Sequence, residues 1–193
     1  LPRDLPVYEC PGSVMEEIST EKTPQGVIII CRRRAFDFHS LEETASDTLL
    51  YLDRVSDPGN LGTIVRTAAW FGVGQVLLSP SCVDPFNTKT IRASAGTIFR
   101  TEIYQDADSE IVQRFAEKMD YRLLAMVPRG GLSPDKVGSG KTIVMLGQEA
   151  SGLSEELKRH ADQSITIPGQ GTVESLNLSV AAAIILYEIT KRV

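Results

Sequence analysis

Residues 48–79 read TLLYLDRVSDPGNLGTIVRTAAWFGVGQVLLS and carry a clear structural pattern. Thr48–Asp53 and Gln75–Ser79 are short apolar runs of strand length, and Thr63–Phe71 between them has the apolar spacing of a helix. Pro58-Gly59 is typical of a turn between the first strand and the helix. Strand, helix and strand in this order predict a βαβ unit with parallel strands.

The alternation continues to the end of the chain. Further strands are predicted at residues 98–104, 121–127, 142–146 and 164–167. Further helices are predicted at residues 89–93, 109–119 and 174–191. Another short helix is predicted to begin directly after Ser154, which would be its N-cap. This order predicts an α/β fold with a mostly parallel sheet and helices on both faces.

The first 45 residues differ from the rest because prolines and glycines interrupt them repeatedly. Val27–Cys31 is a β-branched run that predicts a buried strand. Arg32–Arg34 follows it and predicts a solvated surface, with a nucleic-acid contact as the alternative. We therefore predict two parts, a remnant or the end of an amino-terminal domain plus a linker at residues 1–45, and a main domain at residues 46–193.

Composition excludes several classes of protein. The chain has 193 residues, of which 42% are hydrophobic and 23% are charged, so it can bury a core and is not intrinsically disordered. Twenty Lys and Arg against 25 Asp and Glu give a net charge of −5. That charge argues against binding nucleic acid or membranes by bulk electrostatics, but it leaves room for a local basic patch.

The few cysteines and histidines predict neither a disulfide framework nor a metal site. Cys10, Cys31 and Cys82 form no C-x-x-C pair, and His39 lies far from His160 in the sequence. No apolar run approaches the roughly 20 residues of a membrane-spanning helix, and no signal peptide is recognisable. We expect a cytoplasmic protein.

Three segments mix glycine with polar residues just after predicted strands: residues 57–66, 146–153 and 167–177. Parallel α/β sheets bind ligands in the loops at the carboxyl ends of their strands, although such loops can also be simple turns and caps. Two phosphate-binding motifs are excluded. Gly138–Thr142 precedes a strand and lacks the first glycine of a P-loop, and a G-x-G-x-x-G dinucleotide motif is missing, which argues against a dehydrogenase.

Taken together, the three segments resemble the motifs of the SpoU/TrmH family of RNA 2′-O-ribose methyltransferases, within the SPOUT superfamily. The matching residues are Asn60-x-Gly62-x-x-x-Arg66, Leu146-x-x-Glu149-x-x-Gly152-Leu153, and Ile167-Pro168 followed by Ser175-Leu176-Asn177. Residues 84–96 also match a segment that is common in the family. The resemblance extends over roughly residues 47–193.

The resemblance implies a fold and an activity. The sheet would end in a carboxyl-terminal trefoil knot, and two copies would form a homodimer through the last helix, which is apolar on every side. Residues 24–27 resemble the exit from a substrate-binding domain like ribosomal protein L30e. The implied reaction transfers a methyl group from S-adenosylmethionine to a ribose 2′-hydroxyl of rRNA or tRNA, without a metal.

The resemblance also assigns roles to individual residues. The catalytic set would be Arg66, Asn60, Glu149, Ser175 and Asn177. The cofactor would contact Leu146, Gly147, Ile167, Pro168 and Leu176, mostly through backbone groups. RNA phosphates would contact Lys89, Arg92 and Arg100.

Several alternatives remain open at the level of sequence. Arg66 could act as a base or, because arginine is normally protonated, as a cation that stabilises phosphate and the developing alkoxide; we favour the cation. Ser175 also fits a helix N-cap. Trp70 could stack on a base or pack at an interface. The alternative function is a non-catalytic relative that binds RNA or the cofactor.

Overall fold

The computed structural model describes residues 5–20, 23–170, 173 and 175–191, and the chain forms two compact units. The first unit is Leu1–Arg34 and the second is Ala35–Val193. The second unit therefore begins before residue 46, the predicted start of the main domain. The reason is packing, since Leu41 is buried and Phe36 lies against the ring of Tyr104 at 5.6 Å between centroids.

The second unit contains a six-stranded sheet whose strands pair in parallel, as predicted. In chain order the strands are β1 (Thr48–Asp53), β2 (Gln75–Leu78), β3 (Glu102–Tyr104), β4 (Arg122–Met126), β5 (Thr142–Gly147) and β6 (Gln163–Ile165). Their spatial order is β3-β2-β1-β5-β4-β6. β1 and β5 therefore lie at the centre, and each is hydrogen-bonded to a neighbouring strand on both sides.

Seven α-helices are assigned within the described residues. They are α1 (Gly12–Ile18), α2 (Phe38–Thr44), α3 (Pro58–Trp70), α4 (Thr88–Ala93), α5 (Ser109–Met119), α6 (Glu155–His160) and α7 (Leu178–Thr190). α1 belongs to the first unit and the others to the second. None of the helices in the described part of the chain is long and apolar enough to cross a membrane.

The core lies on both faces of the sheet, which confirms the predicted layering. Leu50 and Leu52 of β1 pack with residues of α3 and α7, whereas Leu49 and Tyr51 pack with residues of α2, α5 and α6. Alternate residues of a strand point to opposite faces, so one apolar strand serves two cores. Tyr51 also donates a hydrogen bond to the carbonyl of Ala107 at 3.0 Å, and burial raises its pKa.

Two helix starts differ from the prediction. Pro58 and Gly59 are the first residues of α3 and not a separate turn, because Asp57 caps the helix by accepting the Asn60 amide. Proline is favoured at the first position of a helix, where its missing N–H costs nothing. α7 begins later than predicted because Asn177 caps it; its Oδ1 accepts from the amides of Ser179 and Val180.

The predicted strand Val27–Cys31 is wrong. These residues form no strand, and Ile30 is 94% exposed. A strand needs a neighbour for its backbone hydrogen bonds, and β propensity alone does not provide one. The strand predicted at residues 98–104 is shorter in the structure. Thr97–Phe99 forms a 3₁₀ turn, and the strand β3 covers only Glu102–Tyr104.

Candidate active site

The candidate site lies where the two central strands end. Asp53 is the last residue of β1 and stands opposite Gly147, the last residue of β5, in the parallel register. The glycine-containing loops that follow these strands therefore emerge side by side. This is the edge at which parallel α/β sheets bind ligands.

A hydrogen-bonded chain joins the three loops through side chains. The amide Nδ2 of Asn60 donates to Oε1 of Glu149. The amide Nδ2 of Asn177 donates to Oδ1 of Asn60 at 3.2 Å. Asn60 lies 89 positions from Glu149 and 117 from Asn177 in the sequence. The structure therefore brings together three of the five predicted catalytic residues, one from each motif.

The helix cap holds Asn60 in place. Asp57 Oδ1 accepts the Asn60 amide N–H at 2.7 Å, and Asp57 Oδ2 lies 3.3 Å from Nζ of Lys89. The hydrogen bond from the Asn60 amide is the main cause of the lowered pKa of Asp57, and the neighbouring Lys89 lowers it further. Lys89, which is predicted to bind RNA, therefore also offsets the negative charge of the Asp57 cap.

Two motif glycines are required by close packing. A Cβ at Gly62 would come within 2.4 Å of the Thr90 carbonyl oxygen on α4. A Cβ at Gly147 would come within 2.1 Å of the Gly152 carbonyl carbon. Neither approach leaves space for a side chain, so Gly62 brings α3 against α4 and Gly147 lets its loop fold back on β5.

Arg66 projects from α3 into solvent. Its side chain is exposed and makes no hydrogen bond or ion pair with the residues that the structure describes. Trp70, one turn further along the helix, is 83% exposed. Both side chains are therefore accessible to a second molecule. The structure does not join Arg66 to the chain of Asn60, Glu149 and Asn177.

The cofactor candidates divide into two kinds. The side chain of Leu146 is buried in the core, so only backbone groups of Leu146 and Gly147 can face a ligand. Ile167 is half-buried against the core, Pro168 is exposed, and Leu176 is 44% exposed. These residues fit an adenosyl group, which uses apolar side chains and backbone polar groups.

The remaining predicted residues are exposed. Ser175 precedes the cap of α7 by two positions, so it is not the N-cap. Arg92 lies on α4 and Arg100 follows the 3₁₀ turn, and both are exposed. No cluster of three or more metal-ligating side chains is present in the described residues.

Sequence reasoning missed Asp53 and Arg54. Asp53 Oδ2 accepts the Ser154 amide at 2.9 Å and Arg54 Nε at 3.1 Å, and Arg54 Nη2 donates to the Gly152 carbonyl at 3.0 Å. The two residues thus hold the returning end of the β5 loop. The available signal was that Asp53 ends an apolar run of strand length, because a carboxylate at the end of a buried strand needs partners.

The fold and motifs have close counterparts among known proteins. An uncharacterized tRNA/rRNA methyltransferase of Synechocystis sp. is 33% identical, with the match covering 96% of this chain and 67% of that protein. The 23S rRNA (guanosine(2553)-2′-O)-methyltransferase RlmP of Bacillus subtilis is 30% identical, covering 98% and 76%.

Solved structures agree with these relatives. The AdoMet-bound rRNA methyltransferase of Sinorhizobium meliloti superposes with a TM-score of 0.88 at 32% identity, covering 94% of this chain and 70% of that one. AviRb of Streptomyces viridochromogenes, in complex with AdoMet, gives 0.71 at 26% identity, covering 75% and 57%.

Three of these similar proteins are named as rRNA or tRNA/rRNA methyltransferases, and AviRb is named as a SpoU methyltransferase. The model of the SpoU rRNA Methylase family matches residues 47–187. The chain belongs to the SpoU rRNA Methylase family.

Proposed function

We propose that the protein transfers a methyl group from S-adenosylmethionine to a ribose 2′-hydroxyl of rRNA or tRNA. The observation that carries this proposal is the hydrogen-bonded chain of Glu149, Asn60 and Asn177, which joins the three family motifs at the carboxyl edge of the sheet. Family membership and the 2′-O specificity in the name of RlmP support the reaction type. Because the proposed substrates are rRNA and tRNA, the proposed compartment is the cytoplasm.

The cofactor would lie between the second and third loops. Leu146 and Gly147 would offer backbone groups, while Ile167, Pro168 and Leu176 would present apolar surface to the adenine. Bound S-adenosylmethionine supplies an electrophilic methyl group on its sulfonium. The two similar proteins solved with AdoMet support this assignment.

The chain's own residues would orient the reactants. A ribose hydroxyl is a poor nucleophile at neutral pH, so alignment and charge stabilisation are needed. The exposed Arg66 would bind the phosphate beside the target ribose and stabilise the negative charge that develops as the hydroxyl gives its proton to solvent water. Asn60, Glu149 and Asn177 would fix the loops around the site, and exposed Ser175 is available to contact the substrate or its 2′-hydroxyl.

Lys89, Arg92 and Arg100 would bind RNA phosphates next to this site. Lys89 and Arg92 share α4, which packs on α3 through Gly62. A protein with a net charge of −5 needs cations placed at the contact rather than spread over its surface. Binding through few phosphates predicts a shallow dependence of affinity on salt.

We also propose a homodimer through α7. One face of the helix is buried in the core, with Ala181, Ala182 and Ile185 among its residues. Ile184 and Tyr187 remain 36% and 52% exposed on the other side. Apolar side chains left exposed on one helix are typical of an interface.

The family's trefoil knot is proposed for the carboxyl-terminal segment. Residues 127–132 lie directly against β6: Val127 and Leu132 donate to the carbonyls of Ile165 and Ser164 at 2.9 and 2.8 Å. The chain after β6 returns to Asn60 through Asn177. A crystal structure traced through residues 127–177 tests whether the segment passes through a loop. We propose that residues 1–45 contain the remnant or end of an L30e-like substrate-binding domain plus a linker, and limited proteolysis would test where the folded main domain begins.

A purified-protein experiment tests the reaction. We expect calorimetry to detect S-adenosylmethionine binding and a tritiated methyl assay to detect transfer to bulk RNA. Arg66→Ala should keep cofactor binding and lose about 100-fold or more of the transfer rate, because Arg66 contacts only substrate. Arg114→Ala, an exposed arginine on α5, is the matched control and should retain full activity.

Mapping of ribose methylation identifies the substrate. Deleting the gene should remove one 2′-O-methyl mark from rRNA or tRNA, and wild-type protein should restore it. Cofactor binding without transfer to any cellular RNA would instead favour the non-catalytic relative.

A further inference from the structure

Arg54 has an uncommon backbone conformation. Its φ of 56° lies in the left-handed region, which residues other than glycine, asparagine and aspartate rarely occupy. The Arg54 amide donates to Ser79 Oγ at 2.8 Å, and that contact helps to hold the backbone in this state. Such strain persists only where surrounding contacts fix it, and it is concentrated at functional sites.

The strained backbone directs the side chain of Arg54 across to the neighbouring loop. Its Nε donates to Asp53 Oδ2 at 3.1 Å, and its Nη2 donates to the Gly152 carbonyl at 3.0 Å. The same Asp53 oxygen accepts the Ser154 amide at 2.9 Å. Asp53 is buried, whereas the Arg54 side chain is 36% exposed. The guanidinium therefore spans from β1 to the end of the β5 loop.

The loop that Arg54 holds carries Glu149. It turns back sharply, since the Gly152 amide donates to the Gln148 carbonyl at 2.8 Å. The backbone of Gly152 also packs directly against Gly147, with no space for a side chain between them. Glu149 is exposed at the tip of this turn and reaches Asn60 across the gap between the strands. Fixing Gly152 therefore limits the positions that Glu149 can take.

We propose that Arg54 is a positioning residue for methyl transfer. Its guanidinium ties Gly152 to Asp53, and this tie sets the β5 loop so that the carboxylate of Glu149 meets the amide of Asn60. The proposal rests on the proposed function. Arg54 acts through the loop and does not itself touch the reacting atoms.

Arg54→Gly separates this role from a purely structural one. Glycine adopts a φ of 56° without strain, and this relief offsets part of the stability lost with the two hydrogen bonds, so we expect the melting temperature to fall by only a few degrees. The lost bonds to Asp53 and Gly152 should accelerate hydrogen exchange of the amides of residues 148–152. The kcat for methyl transfer should fall about tenfold, with the KM for RNA unchanged, since a hydrogen bond from a charged group is lost.

Two further variants complete the test. Arg54→Lys keeps the charge but not the forked donor geometry, so it should recover part of the lost kcat. Asp120→Gly is the matched control because Asp120 also has a left-handed backbone, with a φ of 60°. It comes just before β4 and so lies at the amino ends of the strands, opposite the candidate site. It relieves the same kind of strain and should leave both loop exchange and kcat unchanged.

The outcomes separate the two proposals. Wild-type protein without any methyl transfer refutes the proposed function, while faster exchange of the loop in Arg54→Gly would still support the tie. An active wild type with unchanged kcat and unchanged loop exchange in Arg54→Gly overturns the role of Arg54. A drop in kcat without faster exchange of residues 148–152 would also overturn it, because the loss of activity would then not come from the loop that Arg54 holds.

Discussion

At the scale of single residues, Asn60 connects most of the candidate site. Its backbone amide donates to Asp57, its side-chain Nδ2 donates to Glu149, and its side-chain Oδ1 accepts from Asn177. The amide side chain donates through its nitrogen to one neighbour and accepts through its oxygen from the other at the same time. Replacement at this position therefore changes both contacts together.

Asn60→Asp keeps the shape but turns the donor into an acceptor that faces Glu149. Two carboxylates then repel each other, and we expect kcat/KM for methyl transfer to fall between about tenfold and 100-fold at neutral pH. Gln113→Glu is the matched control, because Gln113 donates to Glu117 on the exposed surface of α5 at 2.8 Å. Equal activity of the two variants would contradict the role of Asn60.

Gly62→Ala tests the packing of α3 on α4. The new Cβ would lie 2.4 Å from the Thr90 oxygen and 2.6 Å from the Ala93 Cβ. We expect a loss of about 1–3 kcal/mol in the free energy of unfolding, measured in urea, since overpacking outweighs the gain in helix propensity. Gly74→Ala has open space and should change stability little.

At the scale of elements, the first turn of α3 depends on a charged cap. Asp57 accepts the Asn60 amide and lies beside Lys89, so its pKa falls below the ordinary value of 3.8. The ionised form is therefore favoured in the folded state. Its contribution to stability is present above the unfolded pKa and is lost as the pH falls through the lower folded pKa.

Asp57→Asn removes this titration and keeps the cap, because asparagine caps helices about as well as aspartate. The stability advantage of wild type over Asp57→Asn, measured by urea unfolding, should be constant near about pH 6 and shrink below about pH 4. The advantage should stay under about 1 kcal/mol, since the pair with Lys89 is exposed. An advantage that grows in acid would contradict the assignment.

Elements were predictable where periodicity and neighbours agreed. α5 begins and ends as predicted, because Asp108 caps it and apolar spacing continues through it. Val27–Cys31 has the propensity of a strand but no partner strand in the described residues, and propensity without pairing is insufficient. The meeting of Asn60, Glu149 and Asn177 followed from the motifs. The link of Arg54 to Gly152 did not, because it depends on a left-handed backbone that spacing cannot indicate.

At the scale of the whole molecule, α7 has an apolar side that the described residues leave exposed. Phe71 contacts Tyr187 at 6.0 Å between ring centroids, so this exposed side continues toward α3. Trp70 is exposed on the same helix, α3. The proposed dimer would cover these side chains and bring Arg66 close to the interface.

Ile184→Glu tests the dimer. A charge at this 36% exposed position should convert a dimer to a monomer in sedimentation velocity, because a buried unpaired carboxylate is costly. Val14→Glu, at 39% exposure on α1, is the matched control and should leave the mass unchanged. A dimeric Ile184→Glu protein would place the interface elsewhere.

The long sequence separations within the candidate site have a consequence for biosynthesis. Asn60 is made first of the three residues, Glu149 follows after 89 positions, and Asn177 comes only after all six strands. A nascent chain therefore has no assembled site until α7 begins. Methylation activity would appear abruptly once α7 has been synthesised and packed rather than growing with the chain, so a nascent chain that lacks α7 would be inert toward RNA.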